Sequence, residues 1–262
     1  MLNEVKHPVE LGAHQGFFAR RWRTQNDSCS RVIAAVTASV ALSFLALSCS
    51  ETQVETSDVV SSIPWGDHEE ARYSLVDREG EGQGTGVLRI DREGDRFRLS
   101  QSYANDSNSD ETEVLVEADT LKPVSLQRQI SHDGELEEVE AEYSSDEVRI
   151  RSGDRQSFLR LPENFYDNDT SLFVWRTIAF EEGLVLHYNA ILTNRRESTA
   201  VTLRVVGREQ VEVPAGSFQA WRLEIRSGSI RQIAWYADNE RRHLVRYDNS
   251  EQVFLLEEMP GE

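Results

Sequence analysis

From Val201 to Val213 the chain alternates apolar and polar side chains almost without a break, and no other feature restricts its fold so tightly. Val201, Leu203, Val205, Val211 and Val213 fall on one face, with Gly207 and Glu209 between them. Thr202, Arg204, Arg208, Gln210 and Glu212 take the other face, joined by Val206. Side chains of a strand point alternately to its two sides, so this pattern predicts a long strand with one wet face. Gly207 in its middle predicts a bulge or bend. Val213-Pro214-Ala215-Gly216 then predicts a tight turn, because Pro presets φ at the second position and Gly suits the fourth. The next strand sets Trp221, Leu223 and Ile225 against Arg222, Glu224 and Arg226.

The same period recurs in shorter runs. Downstream they are Ile230–Ala237, His243–Asp248 and Gln252–Glu258. Upstream they are Arg72–Val76, Gly86–Asp91, Arg96–Tyr103, Glu113–Glu117, Val124–Ile130, Glu135–Tyr143, Glu147–Arg151 and Ser157–Leu161. Gly, Asn, Asp or Ser separates most neighbours, and one segment alone breaks the pattern. There Leu172, Trp175, Ile178 and Ala179 recur at helical spacing, with Asp169 or Thr170 placed to cap the start and Gly183 to end the turn beyond. The expectation is a mostly β protein, an antiparallel curved sheet or open half-barrel with one short helix joining its two halves.

A second feature concerns address. Val32 to Leu47 carries no charge, follows Arg20, Arg21, Arg23 and Arg31, and closes on Leu45-Ala46-Leu47-Ser48-Cys49. As a helix it would span about 24 Å, short of a hydrocarbon core of roughly 30 Å. Basic residues before and small residues after give it the layout of a signal peptide. Its end resembles the bacterial lipobox, whose cysteine is lipidated and becomes the mature N-terminus, although Ala46 stands where Leu is usual. An ordinary cleaved signal and a retained helix are the alternatives. The expected organisation is a signal over 1–48 (an over-long leader), a lipidated flexible tether over 49–64 and a single antiparallel β domain over 65–259. The predicted location is the bacterial cell envelope, facing the periplasm from the outer membrane if two membranes exist.

Charge and cysteine narrow the partners. The net charge is −18, and the leader is its basic part, so the exported domain is more acidic still. Such a surface repels phosphate backbones, so no nucleic acid is expected, and it makes a covalent membrane anchor more necessary. Cys29 lies in the leader and Cys49 is taken by lipid, which leaves neither thiol nor disulfide in the domain.

An early Tyr strand with Gly-containing hairpins (Tyr73, Gly84, Gly86, Tyr103), the turn Leu121-Lys122-Pro123, the short helix Ser171–Ile178, the Val-Pro-Ala-Gly-x-Phe segment Val213–Phe218 and the pair Trp235-Tyr236 together resemble a bacterial family of exported proteins, the domain-of-unknown-function family 3108. The resemblance runs from about Tyr73 to Leu256 and departs from the family in the acidic stretch Glu135–Glu142 and the long leader. It implies an envelope-associated antiparallel β domain and carries over no catalytic residues. The architecture is also similar to half-barrel lipoprotein carriers and chaperones of the bacterial envelope, which by itself fixes no function.

Chemistry-bearing patterns are sparse. His68, His132, His187 and His243 are widely spaced, and His187 alternates with Leu186 and Tyr188 as a water-facing strand residue would. Asp106, Asn108, Asp110 and Glu117 fit four positions of a calcium loop, but Glu111 stands where Gly is required, so a solvated hairpin explains them better. Glu135–Glu142 reads as a charged edge strand that resists aggregation. No catalytic residue, metal site or cofactor is predicted, and an enzyme is not expected. Trp175, Trp221 and Trp235 are the candidate ligand-binding residues, either part of an aromatic core or the lining of an apolar groove. Three functions follow: a non-catalytic carrier binding an apolar or protein ligand, a structural or assembly lipoprotein docking another envelope protein, and an envelope hydrolase. An internal apolar cavity favours the first, a filled core with an exposed apolar patch the second, and a cleft with converging, perturbed acids or histidines the third.

The lipobox reading is directly testable. Cys49→Ser should abolish incorporation of labelled fatty acid and leave the protein unprocessed or shed from membranes. Intact-mass measurement of an unmodified N-terminus at another residue would refute it.

Overall fold

Alternation becomes fifteen strands in the computed structural model, which describes residues 59–258. The first series is β1 (His68–Val76), β2 (Gly82–Glu93), β3 (Arg96–Ala104), β4 (Asn108–Glu117), β5 (Pro123–His132), β6 (Glu135–Tyr143), β7 (Glu147–Ser152) and β8 (Arg155–Arg160). After the short β9 (Phe165–Asp167) come a 3-10 turn (Asn168–Thr170), α1 (Ser171–Val174) and a second 3-10 turn (Trp175–Thr177). The second series is β10 (Val185–Leu192), β11 (Glu197–Val213), β12 (Gly216–Ser227), β13 (Ile230–Ala237), β14 (Leu244–Asp248) and β15 (Val253–Glu258). The leader, Cys49 and the first part of the tether lie outside the described residues. Of the tether's described end, Val59 is already buried, and the Ser61 and Ser62 amides both donate to the Thr177 carbonyl.

All fifteen strands form one sheet, each series a simple meander, with β1 beside β15 at its centre and β8 and β9 at its edges. Every pairing is antiparallel except β9 with β10, which is parallel. At about 4.8 Å per strand a flat sheet of this size would be roughly 65 Å wide. Yet β8 leads to β9, the opposite edge, through only residues 161–164. From Arg160 to Phe165 the chain can reach at most about 18 Å. The sheet must therefore curl until its edges nearly meet, an open barrel rather than a closed one.

Curling creates an inner face, and the alternating apolar residues fill it. Leu99, Val116, Leu126, Ile150, Leu203 and Leu223 are all essentially inaccessible. Cross-strand pairs of Arg and Glu occupy much of the outside, such as Arg98 with Glu93 and Glu113, Arg89 with Glu70, and Arg151 with Glu140. Glu135–Glu142 is not an edge strand: β6 lies between β5 and β7. Its outward glutamates meet arginines of β7, Glu142 with Arg149 and Glu140 with Arg151, so their charge is used in cross-strand pairs.

Gly207 does form a bulge, and its consequence changes the reading of the long strand. Register shifts between Val205, opposite Leu223, and Gly207, opposite Arg222. The extra residue reverses which side later residues take. Val201, Leu203 and Val205 face the inner core, whereas Val211 and Val213 lie on the outer face with Ala220, Trp235, Ala237 and Val245. The five residues therefore divide between two cores. The end of the β11–β12 hairpin folds back over the sheet, where the Ala215 amide donates to the Leu256 carbonyl at 3.0 Å. The turn 213–216 closes this arm, with Gly216 at φ 129°, in the region that favours glycine.

These two cores should fail differently. Val205→Asp buries an unpaired carboxylate in the main core and should prevent folding, a loss above about 4 kcal/mol. Val211→Asp should release only the arm, so that protease cuts near 213–216 while the circular dichroism of the sheet persists. Equal loss of structure in both variants would refute the division.

Candidate functional site

The inner face is covered by the chain itself. Residues 165–178 form a strap of β9 and the helical turns, and Asp167 rather than Asp169 or Thr170 caps its first turn by accepting from the Asp169 amide at 2.8 Å. Leu172, Phe173, Val174, Trp175 and Ile178 are all buried. Both ends of the strap are fixed by charge.

At the first end, β4 and β5 turn Asp110 and Arg128 inward. Arg128 donates from Nε and Nη2 to the two Asp110 oxygens at 2.8 and 2.5 Å, and its Nη1 lies 3.7 Å from Asp169 of the strap. Gln101 of β3 donates to the Asp169 carbonyl at 2.5 Å, and Tyr143 of β6 donates to the Asp167 carboxylate. Lys122 donates to the Phe165 carbonyl at 2.9 Å and sits over the Tyr166 ring. Three carboxylates thus gather around one guanidinium. Burial, reinforced by the negative Asp169, pushes the Asp167 carboxyl up to about 7. Burial also raises Asp169, against the pull of Arg128.

At the second end Arg176 of the strap donates to both oxygens of Glu69 of β1, at 2.5 and 2.9 Å, and from Nε to the Arg241 carbonyl at 2.7 Å. His243 lies 3.2 Å from both Glu69 and Arg176. Burial works to raise Glu69, but hydrogen bonds from His243 and Arg176 outweigh it and hold its carboxyl at about 2. Tyr236 of β13 donates to the Leu172 carbonyl at 2.7 Å, between the two anchors.

The three candidate tryptophans are not brought together. Trp175 belongs to the strap, buried, with its indole N–H on the Tyr188 hydroxyl at 2.8 Å. Trp221 is on the inner face beside Phe180, donating to Asp238 under the Arg208 guanidinium. Trp235 lies on the opposite face, in the arm cluster, donating to Glu209 at 2.5 Å. Each indole N–H has a partner and no common groove joins them. A small cavity between the strap and β1–β2, walled by Tyr73, Leu88, Ile90, Phe173, Glu69 and Arg176, has room for about one water. Known small-molecule sites occupy roughly 300–1,000 Å³.

His187 is exposed and bonds Thr202, as a strand residue facing water would. Asn108 and Glu117 stand at opposite ends of β4, and Asp110 between them is committed to Arg128. Sequence reasoning missed both anchors, although a signal existed. Asp110 shares its face with Val114 and Val116, and Arg128 with Leu126, so each is a charge on the apolar side of its strand. Outside, Leu136 and Phe158 are the large apolar side chains left exposed among the described residues, at 64% and 59%.

Comparison with known proteins agrees with this architecture. Residues 70–253 match the family model described as protein of unknown function, DUF3108, and the chain belongs to that family. No curated protein matches it. Among solved structures, it is similar in fold to a β-barrel-like protein of the domain of unknown function DUF1849 from Brucella abortus. That likeness has a TM-score of 0.53 at 13% identity and covers 78% of this chain and 99% of that one. A protein assigned as a lipoprotein from Parabacteroides distasonis aligns at TM-score 0.30, with 14% identity over 77% of this chain and 99% of that one. An exported protein with a YmcC-like fold from Bacteroides fragilis aligns at 0.28, with 13% identity over 78% and 100%. Scores that low carry no argument.

The two anchors respond oppositely to pH. Glu69, held below its ordinary value of 4.5, contributes stability that is present above that value and lost as pH falls towards 2. Asp167, raised from 3.8, contributes stability that is present below that value and lost as pH rises through 7. Melting temperature should therefore decline in both directions from mildly acidic pH. Asp167→Asn should flatten the curve between about pH 4 and pH 7 and leave the acid limb unchanged; parallel curves would show that Asp167 does not titrate as described.

Proposed function

We propose that this member of the DUF3108 family is a non-catalytic envelope module, held to a membrane by lipid on Cys49, that works by docking another protein on its outer surface. The single observation behind this reading is that the strap fills the inner face. A carrier of apolar molecules needs a hollow, and here the hollow is occupied by Leu172, Phe173 and Trp175. The perturbed carboxylates offer little to a hydrolase, because Asp167 is wholly inaccessible to a substrate. Binding capacity is then left to the outside of the sheet, its arm and its edges.

The carrier alternative makes a distinct prediction. Protein lacking residues 1–48, with Cys49→Ser, should co-purify with no lipid and should not enhance 8-anilinonaphthalene-1-sulfonate fluorescence while folded. Enhancement should begin only as the near-ultraviolet signal is lost. Stoichiometric dye or lipid binding by the folded protein would overturn docking in favour of carriage.

A further inference from the structure

The edge strand β8 combines features that sheet edges normally avoid. Among the described residues it pairs with β7 alone, and it runs without a bulge from Arg155 to Arg160. The Ser152–Arg155 pair at the turn and the Leu161 amide bonded to Asp146 set the phase of the ladder. Alternation then turns the backbone groups of Gln156, Phe158 and Arg160 away from β7. Edges are usually blunted by proline, charged side chains, bulges or inward charges; β8 has no proline or bulge, and its charges, Arg155 and Arg160, stand only at its two ends. Beside its unpaired backbone stands Phe158, 59% exposed.

Its charge is equally unusual for this chain. Arg149 and Arg151 on β7 pair with Glu142 and Glu140, whereas Arg155 and Arg160 make no ion pair among the described residues, although Glu147 stands opposite Arg160 in the ladder. Two cations outside any ion pair therefore frame the open edge of a protein whose net charge is −18. A second copy fits this edge poorly. Two bodies of this net negative charge repel one another.

We propose that β8 is a docking edge that takes, as an added strand, an extended acidic segment of a partner protein. The backbone of Gln156, Phe158 and Arg160 supplies the ladder, Phe158 covers an apolar side chain of the incoming segment, and Arg155 and Arg160 pair with its carboxylates. This inference rests on the docking reading above and names its surface and partner chemistry.

The test uses the full-length lipidated protein in its host envelope, with the photo-crosslinker p-benzoylphenylalanine at position 158 and, in separate strains, at 136 and 212. Position 158 should give one discrete adduct with a different protein, mapping to an acidic, extended segment. Gln156→Pro removes an outward N–H without touching the β7 ladder, and Arg155→Glu with Arg160→Glu reverses the frame; each should lower that adduct roughly tenfold or more. An unchanged melting temperature for both variants shows that the loss is not unfolding. Adducts at 136 or 212 with none at 158 would overturn the edge assignment and keep docking, and no protein adduct at any position would overturn both. An adduct at 158 with a second copy, with lipid or within the same chain would also overturn the proposal, as would one insensitive to both variants.

Discussion

Fifteen strands cannot curl into a barrel around nothing, and the strap anchored by two buried charge clusters is what the sheet curls around. Its apolar residues supply the core, but its position is set by Arg176 on Glu69 and by Asp167 and Asp169 against Arg128 and Tyr143. Charges buried in an apolar interior are costly unless paired, and removing one partner of such a pair typically costs about 3–5 kcal/mol. The anchors therefore penalise any misplacement of the strap far more than greasy contacts would. They bind elements distant in sequence, β1 and the segment leading into β14 at one end and β3 to β6 at the other, so the two meanders are held to one another from within.

The first cluster carries more negative than positive charge, which makes it the less comfortable of the two. Asp110 satisfies Arg128, and the two strap carboxylates share what remains of that charge with a tyrosine hydroxyl and backbone amides. The second cluster is balanced, with one bidentate carboxylate for one guanidinium and a histidine beside both. Their opposite response to pH follows from what meets the burial each suffers: at Glu69 the hydrogen bonds of His243 and Arg176 outweigh it, while at Asp167 it prevails and the charge of Asp169 adds to it.

With the interior given to the strap, distinctive surface features lie outside. The arm of β11–β12 builds a second apolar cluster on the outer face, and the Val-Pro-Ala-Gly-x-Phe turn, shared with the family by resemblance, is the piece that docks it onto β15. The β8 edge is the opposite case, a ladder that among the described residues pairs with no further strand. One edge strand, β9, continues straight into the strap, so the sheet leaves the longer edge open at β8.

Most of the strands were legible in the sequence, because side-chain alternation is a local consequence of backbone geometry, but β9 and β10 were not among the runs it marked. Ile230–Ala237 coincides with β13, and most other runs differ only at their ends. It also marked the bulge at Gly207, the turn at Pro214 and the short helix before Ile178. Which core each strand face met was settled by long-range pairing. One extra residue at Gly207 sent Val211 and Val213 to the outer face, and a period of two cannot record that reversal. The tryptophans looked like one set because residue type says nothing of side, and pairing placed Trp221 and Trp235 on opposite faces. Asp110 and Arg128 were legible as charges on apolar faces, but their meeting with Asp169 depends on how a strap more than 40 residues later threads the sheet. Local periodicity fixes elements; long-range contact alone fixes what a buried charge or an open edge is for.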